Sequence, residues 1–297
     1  MKLALTWFGT LSQGLKSYLS AAADHGFSGV AALSQDDLKG QEWDHFDPKD
    51  RGRICSVSWA SFASDRPPEE PESLSSTNAE AWQRSIRQWQ RVRVGLLALG
   101  SKTLIIDAGL LETPGAKERG DRLLKTLWES GKPGEADESL EPLQRLSDQD
   151  SGIQLEALAR FLHAIHQSAP SLQIALIANE SPAGLLRPSH FSLLQKDAGL
   201  DWLGYWHDSG LSQARAAFSL EEPGDWLDVA SSSLLGCTLH DWADGQDLLL
   251  PGEGIVDFQL ISEYLPRTAT RVLAAAPVYP MESLPLAREA LLAFGIH

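Results

Sequence analysis

The sequence predicts a (β/α)8 barrel, and three observations carry that prediction. Short apolar runs recur eight times along 297 residues. Longer stretches with apolar residues at helical spacing separate them, which is the pattern of parallel β-α-β units. Polar residues stand at the carboxyl ends of several runs, where barrels of this kind place their chemistry. A doubly wound open sheet is the competing topology, but no glycine fingerprint follows the first run. One ordinary barrel uses nearly all of the chain, so residues 1–297 are read as one domain.

The elements follow in order. Lys2 to Phe8 reads as the first strand. Leu15, Tyr18, Leu19 and Ala22 then repeat at helical spacing, and Gly26 closes that helix. Gly29 to Leu33 and Ile54 to Trp59 are the second and third strands. Trp82, Ile86, Trp89 and Leu96 mark a long helix ending near Gly100. Thr103 to Ile106 is the fourth strand and delivers Asp107 at its end. Residues 111–150 are rich in Glu, Asp, Gly, Pro and Ser, and read as an irregular acidic excursion over the barrel mouth, part helix and part loop. Leu155, Leu158, Leu162 and Ile165 restore the helical period. Ile174 to Ile177 leads to Asn179 and Glu180, Leu203 to Trp206 to His207 and Asp208, and Leu235 to Leu239 to His240 and Asp241. Val272 to Ala275 is the eighth strand, and a terminal helix carries Leu286, Ala290, Leu291 and Phe294.

Composition narrows the function. The formal net charge of -15 argues against nucleic acid, because a duplex binder neutralises phosphates with a basic surface. Arg84, Arg87, Arg91 and Arg93 form a local basic strip, read as the solvated face of an outer helix. Cys55 and Cys237 lie in apolar runs without metal-type spacing, as buried reduced thiols do, which suits a cytoplasmic protein. No apolar run approaches a membrane span, and the first residues are too short in apolar content for a signal peptide.

The segment from Leu239 to Ile261 is the most specific. His240 and Asp241 end an apolar run, a polar loop follows, and Pro251-Gly252-Glu253-Gly254 precedes Val256, Asp257, Phe258 and Ile261 opening a helix. With Ile177 to Pro182 and Trp206 to Leu211, it resembles the xylose isomerase-like TIM barrel family of sugar (phosphate) isomerases and epimerases, which includes the endonuclease IV type of repair enzyme. The resemblance implies a divalent ion at the mouth, polarising a sugar carbonyl or hydroxyl so that bases can move a proton or hydride. The expected ligands are replaced. Ala178 stands for a glutamate, Leu211 for the histidine of an Asp-Thr-Gly-His motif in which Asp208 is kept, Thr238 and Leu248 for histidines, and Ala274 for a final glutamate. The second strand, Gly29 to Leu33, also lacks the acidic residue often found there. Alanine and leucine cannot offset the dehydration of an ion. No metal or other cofactor is therefore expected; the alternative is a divalent metal in a site rebuilt from Asp107, Glu180, Asp208 and His240.

The remaining strand-end residues set the functional expectation. Asp208, His240 and Glu180 are the candidate catalytic residues, with His240 read as a general base. Trp7, Trp59, Asp107, Asn179, Trp206, His207, Asp241, Trp242 and Glu253 are the candidate substrate-binding residues, the tryptophans because their faces stack on sugar rings. Each has a plainer reading as a core, capping or loop-ordering residue, and His163 and His166 are read as structural. The expected activity is isomerase- or epimerase-like proton transfer on a sugar or sugar-like hydroxy-carbonyl compound, with weak or no metal dependence. The alternative is a non-catalytic barrel that binds a sugar-like ligand or supports a partner enzyme. The expected partner is a small sugar-like molecule, with no nucleic acid and no membrane, and a homo-oligomer is open.

Overall fold

The computed structural model describes residues 2–7, 14–33, 47, 49–59, 74–132 and 137–297, with the backbone alone for 137–142 and 144–150. Eight parallel strands close into a barrel: β1 (Ala4–Trp7), β2 (Val30–Ala32), β3 (Ile54–Ser58), β4 (Thr103–Asp107), β5 (Gln173–Ile177), β6 (Gly204–Asp208), β7 (Leu234–Leu239) and β10 (Thr270–Leu273). Around the ring they run β1-β10-β7-β6-β5-β4-β3-β2. Each run expected to be a strand is one. Phe8, the expected end of the first, lies outside the described residues. The remaining two strands, β8 (Asp241–Ala243) and β9 (Gln246–Leu249), form an antiparallel hairpin in the segment expected to be loop.

The helices bury the stripes that their sequences present. In α1 (Leu15–Asp24) Leu15, Tyr18, Leu19 and Ala22 face the core. Asn78 caps α2 (Ala79–Leu99) by accepting from the Glu80 and Ala81 N–H groups, and Gly100 ends it in the left-handed region at φ 68°. Between β4 and β5 lie α3 (Ala116–Ser130) and the 32-residue α4 (Asp137–Ser168), so helix occupies most of the expected irregular excursion. The later helices are α5 (Pro188–Lys196), α6 (Ser209–Ala217), α7 (Pro223–Ala230), α8 (Phe258–Tyr264) and α9 (Leu284–Ala293). His163 Nε2 donates to the Ala198 carbonyl and His166 stacks on Trp202, both structural as expected.

Helix α3 follows the carboxyl rim. A Cβ on Gly120 would meet Ser181 Oγ at 2.4 Å, and one on Gly245 would meet the Leu127 carbonyl oxygen at 2.4 Å. The helix thus packs tightly on the loop after β5 and on the tip of the β8–β9 hairpin.

The barrel interior is narrow. Ala4, Ala31, Ile105, Ala175 and Val272 surround Trp206, which is fully buried. Small neighbours make room for that one large ring: a Cβ on Gly236 would lie 2.2 Å from it. The indole N–H donates to Thr238 Oγ1 at 2.8 Å. Threonine at 238 is therefore the acceptor for the barrel's filler, not a vacant ligand position. Thr238→Val should lower unfolding stability by about 1–2 kcal/mol, because a buried N–H loses its acceptor; urea denaturation measures it.

Candidate functional site

The ends of β4, β5, β6 and β7 and the β8–β9 hairpin bring Asp107, Asn179, Glu180, Asp208, His240 and Asp247 to the barrel mouth. Alternation decides who faces inward. Trp206 fills the interior, so Asp208, two residues on, turns the same way. In β5 the inward residues are Ala175 and Ile177, while Ala178 packs in the outer core. At this strand end the inward side chain is therefore Ile177, and Ala178 faces outward.

His240 organises one half of the mouth. Its Nε2 donates to Asp208 Oδ1 at 2.7 Å. Its Nδ1 lies 3.0 Å from Asp247 Oδ1, an ion-pair contact off the line of a hydrogen bond. Burial works against charge on the ring, but the Asp208 and Asp247 carboxylates outweigh it and raise the pKa to about 10. Near neutral pH His240 is an imidazolium. A general base must be free to take a proton, so this charge state bears against that role for His240. Its partners are Asp208 and Asp247, not the adjacent Asp241. Space for the ring comes from Gly210, where a Cβ would lie 2.2 Å from His240 Cε1.

Asp208 has two tasks. Its Oδ1 also accepts from the Leu211 N–H, capping α6. Burial opposes its ionisation, yet the His240 charge, the His240 hydrogen bond and the Leu211 N–H hold the carboxyl below its usual range. Ser209 stitches the same corner: its hydroxyl donates to the His240 carbonyl at 2.6 Å and accepts the His240 N–H at 2.9 Å.

Glu180 stands among other carboxylates. Burial, then the charges of Asp247, Asp208 and Asp107, push its pKa up to about 7. Its backbone is held from below by Arg215, which is fully buried on α6. One guanidinium nitrogen donates to the Asn179 carbonyl at 2.5 Å and the Ser181 carbonyl at 3.1 Å, one residue either side of Glu180. The other edge of the fork makes two bonds to Glu221, at 2.8 and 2.9 Å, and Arg187 reaches Glu221 at 2.6 Å. None of Arg187, Arg215, Glu221 and Asp247 was expected from the sequence.

Asp107 and Asn179 join the strand ends of β4 and β5. Asn179 Nδ2 donates to Asp107 Oδ2 at 2.6 Å, and Asp107 Oδ1 accepts the Gly109 N–H at 2.8 Å. Asp107 is open to solvent at the rim. The surrounding protein still raises its pKa, against the pull of the Gly109 N–H, the Asn179 amide and the Arg215 charge.

Other expected site residues lie elsewhere. Trp59 stacks on Trp89 at 6.2 Å and meets Phe161 edge-on, in the helix layer. Trp7 and Trp242 belong to the outer core and Trp206 to the interior, so none of the four tryptophans offers an open face to a sugar. His207 faces outward beside Tyr205, fully buried, with neither ring nitrogen hydrogen-bonded. Burial lowers its pKa to about 4, leaving it neutral. Asp241 accepts the N–H groups of Trp242, Gly252 and Val256, each at 2.9 Å, and so folds the Pro-Gly-Glu-Gly loop. Glu253 accepts from the Leu250 N–H and the Tyr279 hydroxyl, another loop-ordering role.

No protein-family profile matches the sequence, and no curated protein does either. Solved structures do. A D-tagatose 3-epimerase-like protein superposes with a TM-score of 0.66 at 17% identity, covering 99% of this chain and 97% of the other. A fusion protein of a xylose isomerase-like TIM barrel and a 4-hydroxyphenylpyruvate dioxygenase matches at 0.63 and 14%, over 99% of this chain and 43% of that one. The fold is that of the xylose isomerase-like TIM barrels. The IOLI protein, solved with a bound zinc atom, shares it with a TM-score of 0.62 and 14% identity over 99% and 98% of the two chains.

This barrel does not fit such an ion. Ile177 faces inward at the end of β5, Thr238 is engaged by Trp206, and Ala274 has no donor. Among the described residues one histidine stands at the mouth, with its Nε2 bonded to Asp208 and its Nδ1 3.0 Å from Asp247. Among the described residues no group of three or more His, Cys, Asp or Glu is arranged to hold a metal. The alternative site of Asp107, Glu180, Asp208 and His240 is not assembled as a ligand set.

The charge on His240 has a stability signature. Its pKa rises on folding from 6.5 to about 10, so its contribution is fully present below pH 6.5 and is lost as pH rises through 10. Wild type should lose more unfolding stability than His240→Gln between pH 7.5 and 10; parallel urea denaturation series give the difference.

Proposed function

We propose that the barrel mouth catalyses proton transfer on a sugar or sugar-like hydroxy-carbonyl compound, as an isomerase- or epimerase-like enzyme that does not depend on a metal. The observation that carries this reading is Glu180, a carboxyl with a pKa near neutrality among charged partners at the carboxyl end of the barrel. It can remove a proton from a carbon next to a carbonyl and return it. Asp208, ionised and facing inward, accepts a hydrogen bond from a substrate hydroxyl through its second oxygen. The His240 imidazolium fixes Asp208 and supplies positive charge beside an enolate-like oxygen as negative charge develops there. The similarity to a D-tagatose 3-epimerase-like protein supports the substrate class at the level of fold.

Asp208→Asn and His240→Gln, assayed on a panel of ketoses and inososes, should each lose turnover while keeping the circular dichroism of the parent. Unchanged turnover in both would overturn the assignment and favour a barrel that binds without chemistry.

A further inference from the structure

The mouth carries more negative charge than its own cation balances. Asp208 and Asp247 flank His240 at 2.7 and 3.0 Å, and Asp107 and Glu180 stand at the neighbouring strand ends, so four carboxyl groups meet one imidazole among the described residues. Arg215 lies beneath, but its guanidinium is already engaged by Glu221. Asp247 is exposed and Asp107 is open at the rim, so both present carboxylate oxygen to a ligand.

A second observation points to a hydroxylated ligand. Ala4 packs in the barrel interior and Leu5 and Trp7 in the outer core, so Thr6 turns inward at the mouth end of β1. Leu5 pairs with Leu273, which places Thr6 beside Ala274, and the Ala274 N–H bonds to the Leu239 carbonyl just below His240. Thr6 is 2% exposed, and its Oγ1 has no hydrogen-bond partner among the described residues. A buried hydroxyl left unpaired costs stability unless a ligand meets it.

We propose that the ligand is a polyol bearing a protonated amine, an amino sugar or aminocyclitol, with its ammonium seated among the mouth carboxylates and a hydroxyl on Thr6. This rests on the sugar-site reading above and narrows it. An ammonium supplies the charge that the carboxylates lack, and it donates in several directions. A phosphorylated or carboxylated sugar meets like charge instead.

Calorimetry on chelator-treated protein tests the assignment. The probes are glucosamine, galactosamine and scyllo-inosamine, each beside its hydroxyl counterpart, with glucose 6-phosphate as the anion. At a pH where the amines are protonated, an amine should bind about tenfold tighter than its counterpart. That preference should shrink in high salt and in Asp107→Asn and Asp247→Asn, whose side chains are exposed enough for folding to survive. Thr6→Val should weaken amine and neutral polyol alike. Equal or tighter binding of neutral or phosphorylated sugars overturns this inference alone. So does an amine preference untouched by both aspartate variants, or displacement of the amine by a divalent ion. Absence of binding by every polyol overturns it together with the sugar-site reading.

Discussion

Replacing Glu180 by glutamine is expected to lower kcat/KM by about 10²–10⁴-fold, the usual contribution of a positioned acid–base group. Glutamine keeps the size and hydrogen-bonding atoms but cannot carry the proton. Glu180 makes no hydrogen bond to other described residues, so stability should not fall. It should rise relative to wild type as pH increases from 4.5 and level off above about 7, because the wild-type carboxylate ionises against burial and the charges of Asp247, Asp208 and Asp107. The sign follows from its raised pKa: a carboxyl moved from 4.5 to about 7 by folding costs stability progressively as pH rises from 4.5, and that cost is complete above about 7. The wild-type kcat/KM profile should show an ascending limb near pH 7 that Glu180→Gln lacks. Glu180→Asp, shorter by one methylene, should retain the limb at reduced rate. Loss of activity accompanied by equal loss of stability would instead mark Glu180 as a structural residue.

Arg215→Met is expected to cost about 3–5 kcal/mol, the range for removing one partner of a buried ion pair. The guanidinium is fully buried, and Glu221 would be left with Arg187 alone. The same change frees the Asn179 and Ser181 carbonyls, so Glu180 loses the clamp that aims it. Activity should fall further than stability explains when both are measured well below the melting temperature. Arg215→Lys keeps the charge but not the fork, and should lie between. A variant as stable as wild type but inactive would separate the clamp from the ion pair. One that is both stable and active would remove Arg215 from the account.

The fold was legible because strand and helix periods are strong and regular here. Runs such as Thr103 to Ile106 and Ile174 to Ile177 could be placed to within a residue or two. The hairpin was readable too: Asp244-Gly245, with both residues at positive φ, is the type of turn that joins two short strands. Reading it would have carried Asp247 back toward His240. The site was only half legible. Asp208, His240 and Glu180 stand at strand ends and could be named, but their protonation states depend on neighbours from different strands. The Arg187–Glu221–Arg215 network spans helices and loops distant in sequence, and no local period marks it. The tryptophans misled because a strand-end position does not say which way a ring points. Trp206 turned inward to fill the barrel, and Trp59 outward to the helix layer.

The central claim is metal-free proton transfer at Glu180. Its most direct test is deuterium exchange in D2O, followed by NMR at the carbon next to the carbonyl of each sugar in a ketose and amino-ketose panel. Chelator-treated wild type should catalyse exchange, and Glu180→Gln should not. Exchange that needs an added divalent ion, or that persists in Glu180→Gln, would contradict the account.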